Sequence, residues 1–209
     1  MMIKQIAVKG FDKNFSYILA DEVSLEAMIV DPVDFEKLME ILKEGGFSLI
    51  GILLTHDHFD HWSALAEVLE FQQVPVFAHE KVNPEIRELC SDFREIGNGD
   101  LVEIGQVKIE VLETPGHCES SLCFLAEGNL ISGDTLFVGG CGRADLAGSD
   151  VQKLADSLFD VLKNLPPETK VFPGHDYGEK PVSTIGEEIL RNKFLALGSK
   201  DEFVKKRMG

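Results

Sequence analysis

The sequence predicts a mixed α/β (α+β) fold with two layers of sheet flanked by helices. Three observations predict it. Short runs rich in β-branched and aromatic residues are interspersed with stretches of helical spacing. The order strands, helix, strand, helix recurs in each half of the chain. At 44% hydrophobic over 209 residues, the chain can also bury a sizeable core. No low-complexity linker or short-period repeat interrupts it, so residues 1–209 read as one domain. Patterning alone leaves other mixed folds open.

The elements follow in order. "IKQIAV", "NFSYILA" and "EAMIVD" are strands separated by turn residues. "DFEKLMEILKEGG" is a helix with Phe35, Leu38, Ile41 and Leu42 on one face and a Gly stop at 45–46. "LIGILLT" is almost wholly apolar and reads as a buried strand. The amphipathic "WSALAEVLEFQ", the strand "VPVFAH" and the short helix "NPEIRELC" come next, the last with Pro84 in its first turn. In the second half "DLVEI", "VKIEVLE", "SLCFLAE" and "NLISG" are strands with Gly-containing turns. "DVQKLADSLFDVLKNL" is a helix stopped by Pro166 and Pro167. "KVFPGH" is a strand ending in a histidine, and "STIGEEILRNKFLAL" a helix opened by a Thr184–Glu187 capping pattern. The basic residues Lys205, Lys206 and Arg207 read as a solvated tail.

Charge excludes some function classes. The net charge is -16, without the basic stripe that phosphate neutralisation requires, which argues against nucleic acid and anionic lipid as partners. No run approaches the roughly 18 apolar residues of a membrane span, and the N-terminus lacks a signal-peptide pattern. Cys90, Cys118, Cys123 and Cys141 form no Cys-x-x-Cys pair and read as reduced thiols, Cys141 as a small packed residue. The expectation is a cytoplasmic protein.

One stretch stands apart. "THDHFDH" at 55–61 packs His56, Asp57, His58, Asp60 and His61 between a buried strand and a helix. In extended chain, alternate side chains share a face, so His56 and His58 can address one point. Asp60 and His61 lie where the chain turns and can address a second. Imidazole and carboxylate donors suit Zn²⁺ and similar metals. Asp57 reads as a solvated carboxylate or one that orients a ligand histidine. His117 in "TPGH", Asp134 in "SGDTLF" and His175 in "FPGH" each lie at or just beyond a strand end. Any one of them alone would more often be a hydrogen-bonded group than a ligand. His79 has no such setting and receives no role.

Together these stretches resemble the metallo-β-lactamase superfamily. "THDHFDH" is similar to its His-x-His-x-Asp-His motif, and "TPGH", "SGDTLF" and "FPGHDYG" are similar to its remaining ligand motifs in order. The resemblance covers nearly the whole chain. It implies a four-layer αββα sandwich with metals at one edge. His56, His58 and His117 would hold one metal, Asp60, His61 and His175 a second, and Asp134 would bridge them. Asp60 and Asp134 are thereby placed at the catalytic centre. Two divalent ions are implied, Zn first, with Fe or Mn also suited.

Two such ions can share a hydroxide made available at neutral pH and hold the oxyanion of a tetrahedral intermediate. An amine leaving group needs a proton and a thiolate does not, so a small-molecule thioester is the natural substrate. "SGDTLFVGGCGRADL" resembles two branches, the glyoxalase II (hydroxyacylglutathione hydrolase) group and the persulfide dioxygenase group, which uses a single iron. The sequence therefore implies a hydrolase of S-acylglutathione-type thioesters, with the mononuclear iron dioxygenase as the alternative and a β-lactam hydrolase as a third. Glyoxalase II carries a helical C-terminal extension. Only 34 residues follow His175, so the full extension is not expected here. Arg143 is a candidate contact for a substrate carboxylate, with a structural salt bridge as the competing reading, and Tyr177 is a further substrate-contact candidate.

Overall fold

A computed structural model describes residues 1–8 and 12–208. Two six-stranded sheets form its centre. The first contains β1 (Met2–Ala7), β2 (Phe15–Asp21), β3 (Glu26–Val30), β4 (Ser48–Leu53), β5 (Val76–Ala78) and β6 (Phe93–Glu95), in that spatial order. β1, β2 and β3 pair antiparallel; β3 to β6 run parallel. Parallel neighbours need a crossover. Helices α1 (Phe35–Gly45), α2 (Leu65–Phe71) and α3 (Pro84–Leu89) lie in the three crossovers.

The second sheet contains β7 (Leu101–Ile104), β8 (Val107–Glu113), β9 (Leu122–Ala126), β10 (Asn129–Gly133), β13 (Lys170–Pro173) and β14 (Ser183–Thr184), ordered β14-β13-β10-β9-β8-β7. A two-stranded ribbon, β11 (Leu136–Phe137) with β12 (Gly140–Cys141), follows β10. The parallel crossover from β10 to β13 carries α4 (Val151–Asp156). Helices α5 (Ile185–Arg191) and α6 (Lys200–Met208) end the chain.

Three separate apolar cores make this a four-layer αββα sandwich. Ile18, Ala20, Ile29 and Ile52 pack with Leu38, Leu65 and Ile86 of the first helices. Phe15, Tyr17, Leu19 and Leu53 meet Ile109, Val111, Phe124 and Ile131 between the sheets. Leu112, Leu130 and Val171 pack with Leu154, Leu158, Ile185 and Phe203. β2 shows why: Phe15, Tyr17 and Leu19 enter the middle core and Ile18 and Ala20 enter the first, so the strand is buried on both faces. Among the described residues no helix is long and apolar enough to cross a membrane.

Helix ends follow local chemistry. Asp34 accepts from Lys37 N at the start of α1, and Gly46, at φ 67°, closes it in the left-handed conformation. Thr184 Oγ1 accepts from Glu187 N, but the Glu187 carboxylate turns to Ser183 and Lys180, so the capping box is half made. The helix expected over "STIGEEILRNKFLAL" stops at Arg191, because Asn192 leaves helical geometry and takes Phe194 N and Leu195 N on its side chain. The tail expected at 205–207 is the last turn of α6, with Lys205 and Lys206 exposed as expected and the helix held by the buried Phe203.

Candidate metal centre

The donors meet at one edge of the sandwich. Those of the first half leave the end of β4 and enter a 3-10 turn at Phe59–His61. His117 follows β8, Asp134 follows β10 and His175 follows β13. Two Pro-Gly turns let the backbone come close. A Cβ at Gly116, where φ is 139°, would sit 2.2 Å from the backbone N of Leu154 in α4. A Cβ at Gly174 would sit 2.2 Å from Asp134 Oδ1.

In the first set, His58 Nδ1 lies 3.2 Å from His56 Nε2 and 2.8 Å from His117 Nε2. In the second set, His61 Nε2 and His175 Nε2 are 3.2 Å apart, and Asp60 Oδ2 is 3.7 Å and 3.6 Å from them. Asp134 stands between the sets. Its Oδ2 is 3.5 Å from His117 Nε2 and 3.2 Å from His175 Nε2, and its Oδ1 is 3.4 Å from His61 Nε2. The structure thus brings together all seven sequence-derived donor candidates. Each triad's donor atoms lie within 4.8 Å of one another.

The hydrogen bonds behind the rings decide where the lone pairs point. His117 Nδ1 faces the Arg143 carbonyl at 3.0 Å, and His175 Nδ1 faces the Asp12 carbonyl at 2.7 Å. A carbonyl only accepts, so both Nδ1 atoms carry the proton. His61 Nδ1 donates to Asp31 Oδ2 at 2.9 Å. Thr55 Oγ1 spends its hydrogen on Asp31 Oδ2 at 2.6 Å, so toward His56 Nδ1, 3.0 Å away, its oxygen accepts. Each of these four rings therefore presents Nε2 inward. In neutral rings those inward nitrogens are bare lone pairs, and lone pairs crowded at this range need a cation.

Electrostatics agrees. Burial lowers His56 well below its ordinary pKa and also lowers His117. Burial would lower His61 too, but Asp134, Asp31 and Asp60 outweigh it and raise it to about 9. His175 is raised, with Asp134 overcoming its burial. Burial would push the Asp134 carboxyl up, but His61, His175 and His56 hold it well below the usual range. Its Oδ1 is buried without a hydrogen bond. Inward imidazole nitrogens, two inward carboxylates and one orphaned carboxylate oxygen fit divalent metal, which would replace the protons that Asp134 draws onto His61 and His175.

The remaining candidates sit around this centre. Tyr177 stacks on His175, with ring centroids 4.7 Å apart and planes 4° from parallel, and its hydroxyl donates to the Asp12 carboxylate. Arg143 lends its carbonyl to His117, while its guanidinium pairs twice with Asp145 at 2.9 Å. Asp57 is tied down rather than solvated: it accepts from Ser120 Oγ at 2.7 Å and Asn83 N at 2.9 Å. Cys141 is buried in the third core. His79 bonds Lys81 N and lies outside both donor sets.

Reading the sequence missed Asp31, Thr55 and Asn14. Asp31 directly follows β3, and the parallel pairing of β3 with β4 sets it beside Thr55. A carboxylate closing an apolar strand in "IVDP" was the available signal.

A family model described as the metallo-beta-lactamase superfamily matches residues 10–175. The chain belongs to this superfamily. A hydroxyacylglutathione hydrolase of Idiomarina loihiensis is 36% identical over 85% of the chain and 67% of its own length. A probable polyketide biosynthesis zinc-dependent hydrolase, PksB of Bacillus subtilis, is 29% identical over 93% and 87%. Among solved structures, ETHE1 from Myxococcus xanthus superposes with a TM-score of 0.88 at 31% identity, covering 100% of this chain and 91% of that one. TTHA1623 in a di-iron-bound form gives 0.78 at 32%, covering 92% and 100%. At this level the chain is a metal-dependent hydrolase of the superfamily, with His/Asp clusters suited to a binuclear centre.

Proposed function

We propose that the chain hydrolyses a small-molecule thioester of the S-acylglutathione class at two metal ions held by His56, His58 and His117 and by Asp60, His61 and His175. The observation that carries the reading is Asp134, whose two oxygens face both donor sets. When bound, a pair of divalent ions supplies Lewis acidity and a water acidic enough to act near neutral pH. The chain's own residues do the rest. Thr55, Asp31 and the Arg143 and Asp12 carbonyls fix the ring tautomers before any ion arrives. Asp134 places negative charge between the sets, so that two cations can be close neighbours.

The leaving group selects the thioester. A departing amine needs a proton, whereas a thiol with a pKa near about 8.5 leaves as thiolate. Tyr177 is the proton-bearing group stacked on the donors. Burial and then Asp12 push its hydroxyl far above the ordinary value, so it is a poor acid. That favours thioester over amide or β-lactam. The 36% identity to a hydroxyacylglutathione hydrolase supports the glutathione class. Arg143 and Tyr177 are the proposed substrate contacts, and a substrate carboxylate would compete with Asp145 for the Arg143 guanidinium.

Metal analysis of purified protein tests the reading when joined to two assays, S-lactoylglutathione hydrolysis and O₂ uptake with glutathione persulfide. Two ions per chain with thioester turnover are expected. One iron per chain, O₂ uptake and no thioester turnover would overturn the hydrolase in favour of the mononuclear dioxygenase.

A further inference from the structure

We propose that Asn14 is a positioning residue for the second donor set, holding the Asp60 carboxylate in the orientation that binds metal. The inference rests on the reading of Asp60 as a ligand and assigns a role to a residue outside every recognised motif.

Asn14 is wholly buried. Its Nδ2 donates to Asp60 Oδ2 at 2.9 Å and to the Asp60 carbonyl at 3.0 Å. Both partners only accept, so the amide orientation is determined: Nδ2 faces Asp60. The same nitrogen is 3.5 Å from His61 Nε2. The backbone of Asn14 forms an isolated antiparallel bridge with His175, and its carbonyl accepts from Val8 N at 2.9 Å. Its side chain therefore reaches Asp60 and His61 while its backbone bridges His175, so Asn14 meets all three residues of the second set.

The need for such a residue comes from Asp60 itself. Its side chain is 33% exposed, against 8% for Asp134. It stands on a single 3-10 turn, and a carboxylate there is free to swing into water. Asn14 grips Oδ2, the oxygen that faces His61 and His175. The cost is visible: Asn14 Oδ1 is buried without a partner. A buried amide kept half-satisfied costs stability. A residue kept at that cost beside three ligands fits a role in the site better than a role in packing.

Calorimetric titration of metal-free protein with Zn²⁺ tests the proposal without using activity. The parent, Asn14→Ala, Asn14→Leu and His175→Ala would be compared, with His175→Ala marking which step belongs to the second set. Asn14→Leu keeps most of the volume and removes the whole amide, both the Nδ2 donor and the unpartnered Oδ1. The parent is expected to take up two ions. Both Asn14 variants should bind the first with parental affinity, which also shows that they are folded, and the second about 10–100-fold more weakly. Two ions at parental affinity in both variants would overturn the proposal. Equal weakening of both steps would also overturn it, since that is the mark of a general structural role. A parent that binds one ion would refute the two-ion reading itself, a result visible before any variant is considered.

Discussion

The two halves of the molecule build one metal centre in opposite ways. The first half supplies His56, His58, Asp60 and His61 from a single loop at the end of β4. The second supplies His117, Asp134 and His175 from beyond three different strands, β8, β10 and β13. A local loop needs few residues to set its donors at useful spacing. Separated donors need the sheet, because only the pairing of β10 with β13 and β9, and of β9 with β8, brings them to one edge. Damage to the second half should therefore reach the centre through backbone position. Damage to the first should reach it through the polar contacts that hold its loop.

The largest effect is expected at Asp134, the one donor that faces both sets. Asp134→Asn keeps the shape and removes the charge between two cations. Turnover of the thioester should fall by at least about 10²-fold, the scale of losing one aligned charge-stabilising group. Circular dichroism should show the fold retained. Near-parental turnover would reduce Asp134 to a turn residue and dissolve the link between the halves.

A smaller effect is expected at Gly174, where the second half relies on the absence of a side chain. A methyl there would lie 2.2 Å from Asp134 Oδ1 and 2.9 Å from His61 Cε1. Overpacking of this kind costs about 1–3 kcal/mol, and the displaced atoms belong to two donor residues, Asp134 and His61. Gly174→Ala should lower both thermal stability and metal content. Unchanged metal content in a destabilised protein would show that the strand-end turn serves packing alone.

The same contrast explains what could be read from the sequence. "THDHFDH" was legible because its four donors share one stretch. The strand-end donors were legible only through their likeness to known motifs, since each is a lone His or Asp after a strand. The strands were legible too, though patterning alone left their layering open: alternation in β7 and β8 and the apolar runs in β2 and β4 are what sheet faces impose. Asp31 and Asn14 were not, because neither lies in a cluster; the β3–β4 pairing and the bridge from Asn14 to His175 make them neighbours of the donors. The strands β6, β11, β12 and β14 have two or three residues each, too few to show a period. Helix α6 looks like a tail in the sequence because its composition is dominated by charge, and Phe203 is its one buried anchor.

The smallest effect is expected at a tie between the halves far from the metal edge. β2 begins at Phe15, whose N–H donates to the Gly174 carbonyl beside the centre, and ends at Asp21. At about 3.3 Å per residue, Asp21 lies roughly 20 Å away along the strand. There its carboxylate accepts from Gln106 N and Val23 N, each at 3.0 Å, joining the first sheet to the turn between β7 and β8. Those N–H groups, Gln106 first, lower its pKa. A carboxylate whose folded pKa is depressed contributes stability that is fully present above its unfolded pKa, near about 3.9, and is lost as pH falls through the folded value. Asp21→Asn should therefore melt below the parent at pH 7, and the gap should close as the pH drops below about 4. Metal stoichiometry should not change. A persistent gap at low pH would assign the contact to shape rather than charge. A lost ion would show that the two sheets transmit a disturbance over the length of β2, and the halves would then have to be treated as one unit at both ends.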